Sequence, residues 1–276
     1  MSLREMSQDI SSEPFVYRFL REQKIPDGYK PRAKVITEED VLTGGMPSVC
    51  LGEVKDRELW FKGYEQTYLE RDLRDFSRIT DIISFRNLLH LAALRTGQIL
   101  NISELGRDAR LTAPTTSRYL SLLELSFVTT RIPPYLRNRA ARLIKSPKNY
   151  LSDSGLACYL GGITAFQKES VKGAMLETYV SQNLLSIIRS NWSDAELYYW
   201  HVQGRYEVDF VIESQNRCIA VEVKAGSRWS QKDLRGLKVF IALTPGCIAG
   251  VLAYNGTEFV RLGDKLWAIP VSMLLS

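Results

Sequence analysis

From about residue 163 the apolar positions fall into short runs with the two-residue period of strands. Leu197–His201, Tyr206–Ile212, Cys218–Val223 and Ile248–Tyr254 read as strands. A long helix over Gly173–Arg189 precedes them, and a second helix over Lys232–Ala242 separates the last two. Helix, hairpin, then strand–helix–strand makes a mixed α/β sheet. Upstream the period is helical. Phe85–Arg95 is an apolar helix, Asn101 caps a short helix, and Thr112 with Pro114 opens another over Ala113–Leu125. Two helices joined by a short turn after a leading helix form a helix-turn-helix pattern, with Leu120, Leu123 and Leu125 expected to pack inward. Phe127–Arg131 reads as a strand, Pro133-Pro134 as a turn, and Leu143-Ile144 with Tyr150-Leu151 as a wing. Residues 1–80 are polar and helical, interrupted at Pro26, Asp27-Gly28, Pro31 and Gly44-Gly45-Met46-Pro47. From Glu58, Leu59, Tyr64, Tyr68, Leu69, Leu73 and Phe76 recur near helical spacing. The expected class is α/β (α+β overall): a helical segment 1–80, a winged helix-turn-helix 81–162, and a mixed sheet with flanking helices 163–276.

Composition narrows this picture. The chain of 276 residues has 45% hydrophobic content, enough for packed cores. No apolar run approaches the roughly 20 residues of a membrane helix, and the polar N-terminus is not a signal peptide. Cys50, Cys158, Cys218 and Cys247 are scattered, without a CxxC pair, which points to reduced thiols and a cytoplasmic protein. His90 and His201 stand alone and read as structural or incidental.

The net charge of +5 is informative once located. Residues 107–148 hold nine Lys and Arg against Asp108 and Glu124, the footprint of a phosphate-contacting surface such as one for DNA. Thr115, Thr116, Arg118 and Tyr119 occupy the first turns of the second helix, and Arg137, Arg139 and Arg142 follow on the wing. The alternatives are a winged helix used for domain packing, and a basic face for an acidic protein partner or a homo-oligomer.

Chemistry concentrates in two strands. EVDFVIE sets Asp209 among apolar neighbours, and IAVEVKAG sets Glu222 and Lys224 two apart, so both point the same way. A hairpin through Ser214–Arg217 would bring Asp209 beside Glu222. Two carboxylates suit a hard cation, Mg²⁺ or Mn²⁺, and a lysine beside them stabilises charge on a scissile phosphate. Glu177, in the long helix, can supply a third carboxylate. By itself an ExK in a strand reads first as a surface ion pair; the acid one hairpin upstream and the glutamate-bearing helix reverse that balance.

The order helix-Glu, strand-Asp, strand-ExK resembles the PD-(D/E)XK nuclease superfamily. LTGGMPS, TYLERDLRD, RTGQILNISELGRDARLTAPTTSRYLSLLELSF, RIPPYLRNRAARLIKSPKNYLSDSGLACYL, LYYW and EVDFVIE…IAVEVKAG resemble, in order, the C-terminal half of a prokaryotic AAA-type ATPase family. That half carries a nuclease-like domain of unknown function. The resemblance implies Glu177 as helix acid, Asp209 and Glu222 as metal ligands, and Lys224 as catalytic lysine. It also implies an upstream ATPase. Here no Gly-Lys dipeptide occurs, so a GxxxxGK[ST] loop is excluded and no ATP binding is expected. The chain then reads as the C-terminal half of such a protein or as a form that has lost its motor. Residues 1–80 would be the end of the ATPase lid.

Overall fold

The computed structural model describes residues 1–8, 11–22, 34–67, 79, 81–136, 138–202 and 205–276, with the backbone only of Arg139. Tyr68, Leu69, Leu73, Phe76, Pro26, Asp27-Gly28, Pro31 and Arg137 lie outside the described residues, as does TYLERDLRD beyond Thr67. No described helix is long and apolar enough to cross a membrane. Internal packing divides the chain into two compact units. One comprises Glu38–Ile132 and Ser146–Tyr179; the other comprises Met1–Thr37, Pro133–Lys145 and Val180–Ser276. This grouping cuts across three consecutive segments: the first 37 residues cluster with the last strands.

The first unit is mostly helical. Helix Ile82–Leu94 buries Phe85, Leu88, Leu89 and Ala92, each large side chain contributing about 1.5–3 kcal/mol by leaving water. Asn101 caps Ile102–Asp108 and Thr112 caps Ala113–Leu125, as their sequences predict. Tyr119 meets Phe85 edge-on at 5.3 Å. Leu120 and Leu123 are buried, but Leu125 is exposed; it sits at the last turn, past the end of the inward stripe. Strands β1 (Gln98–Ile99), β2 (Thr129–Ile132) and β3 (Lys148–Leu151) form an antiparallel sheet in the order β1-β3-β2. Tyr150-Leu151 lie in this sheet, whereas Leu143-Ile144 end a helix, Arg139–Ile144, of the other unit. Ala140 and Ala141 favour helix there, and Asn138 caps it.

Two of the sequence motifs lock together in this unit. Asp153 accepts the backbone N–H of Gly45 at 2.7 Å and of Leu156 at 2.8 Å, while Ser154 donates to the Val41 carbonyl at 2.8 Å. Gly44 has φ +68°, and a Cβ on it would come within 2.4 Å of the Asp153 carboxylate. LTGG and SDSG are thus two halves of one clasp, and burial raises the carboxyl of Asp153 above its ordinary range.

The second unit holds a six-stranded mixed sheet: β4 (Ala195–Val202), β5 (Tyr206–Ser214), β6 (Arg217–Lys224), β7 (Cys247–Tyr254), β8 (Val260–Arg261) and β9 (Leu266–Pro270). The order is β4-β5-β6-β7-β9-β8. β4, β5 and β6 run antiparallel; β6, β7 and β9 run parallel. Gln215 and Asn216, both at positive φ, make the two-residue turn that joins β5 to β6. Helix Arg235–Leu243 makes the crossover from β6 to β7 and packs Leu237 and Phe240 against Val208, Val211 and Leu252. Phe19 of the N-terminal helix Phe15–Glu22 packs edge-on against Trp267 of β9 at 5.3 Å. At the β4 edge, Pro133–Tyr135 lies alongside the strand: Tyr135 donates to the Tyr199 carbonyl at 2.6 Å, and Tyr199 to that of Pro133 at 3.1 Å.

Candidate functional site

β6 is buried from Cys218 to Val221 and opens to half-exposure at Glu222, Val223 and Lys224. The adjacent strand changes character at the same level. Between β4 and β5 the register passes from Tyr198↔Val211 to Trp200↔Val208, so Asp209 and Phe210 together oppose Tyr199. This is a β-bulge, a device that re-aims a side chain and interrupts pairing. The ladder between β5 and β6 ends at Phe210↔Val221, one register step short of Asp209 opposite Glu222. Beyond that point Val223 N–H donates at 2.8 Å to Asp209 Oδ2 instead of to backbone. The buried carboxylate of Asp209 is therefore held against β6 at the residue after Glu222, whose Oε2 is shut from solvent.

Lys224 donates to Asp233 Oδ1 at 2.7 Å. Asp233 in turn accepts the N–H of Ser230 at 2.7 Å and its hydroxyl at 3.0 Å, closing the capping box of the short 3₁₀ turn Gln231–Leu234. Burial pushes the Asp233 carboxyl up, but the bonds from Lys224 and Ser230 outweigh it and hold the group below its ordinary range. Sequence reasoning missed Asp233. Ser230 three residues before an acid was the available signal. Trp229 is half-buried against the core of this unit.

Glu177 belongs to the other unit and has local partners. Lys148 Nζ lies 3.0 Å from its Oε1, and the Tyr150 hydroxyl donates to the same oxygen. Lys148 is almost fully buried, and Gly97, at φ +78°, leaves room beside Tyr150 and Glu177 that a Cβ would crowd. Among the described residues, no group of three or more His, Cys, Asp or Glu could hold a metal ion. Asp209 and Glu222 lie on neighbouring strands one register step past the end of the β5–β6 ladder, and two carboxylates of this kind would suit a cation completing its shell with water and phosphate oxygens.

The residues expected at DNA are placed differently from one another. Arg118 is exposed, its guanidinium 5.2 Å from the Tyr119 ring centroid. Thr115 is half-buried and accepts from the Thr112 hydroxyl at 3.0 Å. Thr116 is buried beneath Gly106, where a Cβ would come within 2.5 Å of its hydroxyl, and Tyr119 is buried in the core. Neither of these two can reach a base edge from the interior. Arg139 opens its short helix. Arg142 is buried, a correction to its place on an exposed wing. Its guanidinium lies 4.6 Å from the Tyr135 ring and 4.5 Å from that of Tyr198, donates to Glu213 at 2.6 Å and to the Leu136 carbonyl at 2.6 Å. Burial works against its charge, but bonds to Glu213 and Tyr198 more than compensate. Burial likewise pushes the Tyr198 hydroxyl up to about 12.

Residues 172–274 match the family model described as Domain of unknown function (DUF4143). Residues 36–167 match a second, Domain of unknown function (DUF8612). The chain is 30% identical over 240 residues to uncharacterized proteins of Mycobacterium tuberculosis (Rv2008c) and Mycobacterium bovis (Mb2031c), a match covering 85% of this chain and 53% of each relative. It thus spans about half the length of those curated relatives. A solved structure, protein VC1899 from Vibrio cholerae, aligns over 91% of this chain and 62% of its own with 14% identity and a TM-score of 0.29. The sequence resemblance thus extends to a DUF4143 domain and its uncharacterized relatives.

Proposed function

We propose that the unit with the six-stranded sheet hydrolyses phosphodiester bonds in nucleic acid, using a divalent cation, Mg²⁺ or Mn²⁺, held by Asp209 and Glu222. The bulge at Asp209–Phe210 carries this reading, because at that level the Asp209 carboxylate accepts the N–H of Val223, the residue that follows Glu222 on the neighbouring strand. When bound, the cation would polarise the scissile phosphate and acidify a water. Asp209 is oriented for this by the Val223 N–H. Lys224, two residues from Glu222, presents its ammonium to a phosphate oxygen, and Asp233 fixes that ammonium in place between encounters. In the other unit, helices Ile102–Asp108 and Ala113–Leu125 with antiparallel β2 and β3 support a winged helix, with Arg110 and Arg118 among its exposed cations. The sequence resemblance supports reading the chain as the C-terminal part of an AAA-type ATPase.

A cleavage assay with Mg²⁺ or Mn²⁺ on single-stranded, duplex and branched DNA tests the proposal. Cleavage is expected in the wild type and not in Asp209→Ala or Glu222→Ala, with Mn²⁺ binding lost in parallel. A second reading, nucleic-acid binding without hydrolysis, is favoured by Glu177 being committed to Lys148 and Tyr150. Binding without cleavage under every condition would decide for it.

A further inference from the structure

We infer that the stretch from Arg228 to Lys238 is the surface along which a nucleic-acid backbone lies as it reaches Asp209, Glu222 and Lys224. The choice of nucleic acid over other polyanions rests on the phosphodiesterase reading. Residues 224–238 contain Lys224, Arg228, Lys232, Arg235 and Lys238 against one acid, Asp233. That acid is already committed to Lys224 and Ser230. Arg228, Lys232 and Arg235 are exposed and form no ion pair with any described residue. Lys238 is exposed and donates only to the neutral amide oxygen of Gln231, at 2.9 Å. An ordinary solvated helix face intersperses acids three or four residues from its cations; this one does not.

Lys232, Arg235 and Lys238 recur every three residues, opposite the buried Leu234, Leu237 and Phe240. At 1.5–2 Å of rise per residue the stripe is about 10 Å long. One strand of nucleic acid carries a phosphate about every 3.4 Å of axis, so about three phosphates fit its length. Two contacts fix the stripe to the carboxylate site. Lys224 is bonded to Asp233 in its first turn. The backbone at Gly236 rests on β5 so closely that a Cβ there would come within 2.1 Å of the Glu207 carbonyl oxygen, two residues before Asp209. The like charges repel one another when the surface is empty, and a polyanion relieves that repulsion.

The test is binding of fluorescent single-stranded and duplex 20-mers to the full chain in EDTA, across a salt series. The variants are Lys232→Ala/Arg235→Ala/Lys238→Ala, the charge-keeping Lys232→Arg/Arg235→Lys/Lys238→Arg, and Arg110→Ala/Lys145→Ala. The triple alanine variant is expected to lose at least tenfold in affinity. Its log–log salt slope should fall by about two to three units, at about 0.7–0.9 per phosphate contact. The charge-keeping variant should bind within about twofold of wild type. Unchanged affinity in the triple alanine variant overturns the assignment, and so does a loss equalled in Arg110→Ala/Lys145→Ala. Binding to poly-glutamate but not to DNA would also overturn it, in favour of an acidic protein partner. Because metal is absent, intact binding without later cleavage counts against the hydrolytic reading alone.

Discussion

The two basic regions of this protein look alike in sequence and differ in what their charges do. In residues 107–148 four of the seven cations with described side chains pair with acids, and two of those four, Arg142 and Lys148, are buried. Arg131 pairs with Glu124 at 3.3 Å, Arg107 with Asp108 at 3.7 Å, Lys148 with Glu177, and Arg142 with Glu213 between two tyrosines. Among the described side chains of that region, Arg110, Arg118 and Lys145 remain exposed and without an ion pair. In residues 224–238 the cations are denser, and one acid serves the whole stretch. Net charge along a sequence therefore marks where cations are, while burial and partners decide which of them can meet an external anion.

Removing the acid that supports a spent cation gives the largest effect. Glu213→Ala leaves the Arg142 guanidinium buried without its carboxylate, and a loss of about 3–5 kcal/mol is expected from urea unfolding. Should that variant lose less than about 1 kcal/mol, Arg142 is not a structural cation and the contrast fails. Next comes Gly236→Ala. Its Cβ would force the helix Arg235–Leu243 off β5, at a cost of about 1–3 kcal/mol, and nucleic-acid binding should weaken beyond what the stability loss explains.

A smaller effect is expected at His90, which extends the contrast to a pair that titrates. His90 Nδ1 faces the Leu160 carbonyl at 2.8 Å and Nε2 faces Glu65 at 2.7 Å. The carbonyl can only accept, so the ring donates there, and the bond to Glu65 raises the imidazole pKa against the opposing effect of burial. Burial pushes Glu65 up, but the bonds from His90 and Tyr159 hold it below its ordinary range. A raised folded-state pKa means the His90 contribution is fully present below pH ~6.5 and is lost as pH climbs through the raised value. The lowered Glu65 contribution is present above pH ~4.3 and is lost as pH falls through the folded value. Urea midpoints should therefore decline above neutrality in the wild type and flatten in Glu65→Gln, by under about 1 kcal/mol because the His90 side chain is 38% exposed. The smallest effect belongs to Arg118→Ala: within about 0.5 kcal/mol in stability, and within about twofold in DNA affinity.

Local signals were the legible ones. Thr112 and Pro114 place helix Ala113–Leu125 to the residue because capping and the first-turn proline act within a few positions. The strands from Leu197 to Tyr254 follow their period, and β5 and β6 meet in the expected hairpin. The long-range facts were not legible. Nothing local tells that Phe19 packs on Trp267, that Pro133–Tyr135 pairs with β4, or that Lys224 reaches Asp233. The bulge at Asp209–Phe210 is a mismatch between two strands, and neither strand shows it alone. The sequence places Leu143-Ile144 with Tyr150-Leu151 in a basic wing, because apolar pairs among arginines give no local sign of the helix that Ala140 and Ala141 join. In the fold Arg142 points inward and Leu143 and Ile144 are exposed.

The strip Pro133–Tyr135 along β4 has a consequence for assembly. A sheet margin with open N–H and C=O groups recruits further strands, from the same chain or from a neighbouring copy. Here that margin already carries two main-chain bonds to Tyr199, and the opposite margin is β8, two residues long. Growth of the sheet by strand addition is thus blunted at both ends. Copies of this protein that come together would have to do so through side-chain surfaces, and an unfolding event that peels Pro133–Lys145 away would be the step that exposes a template for aggregation.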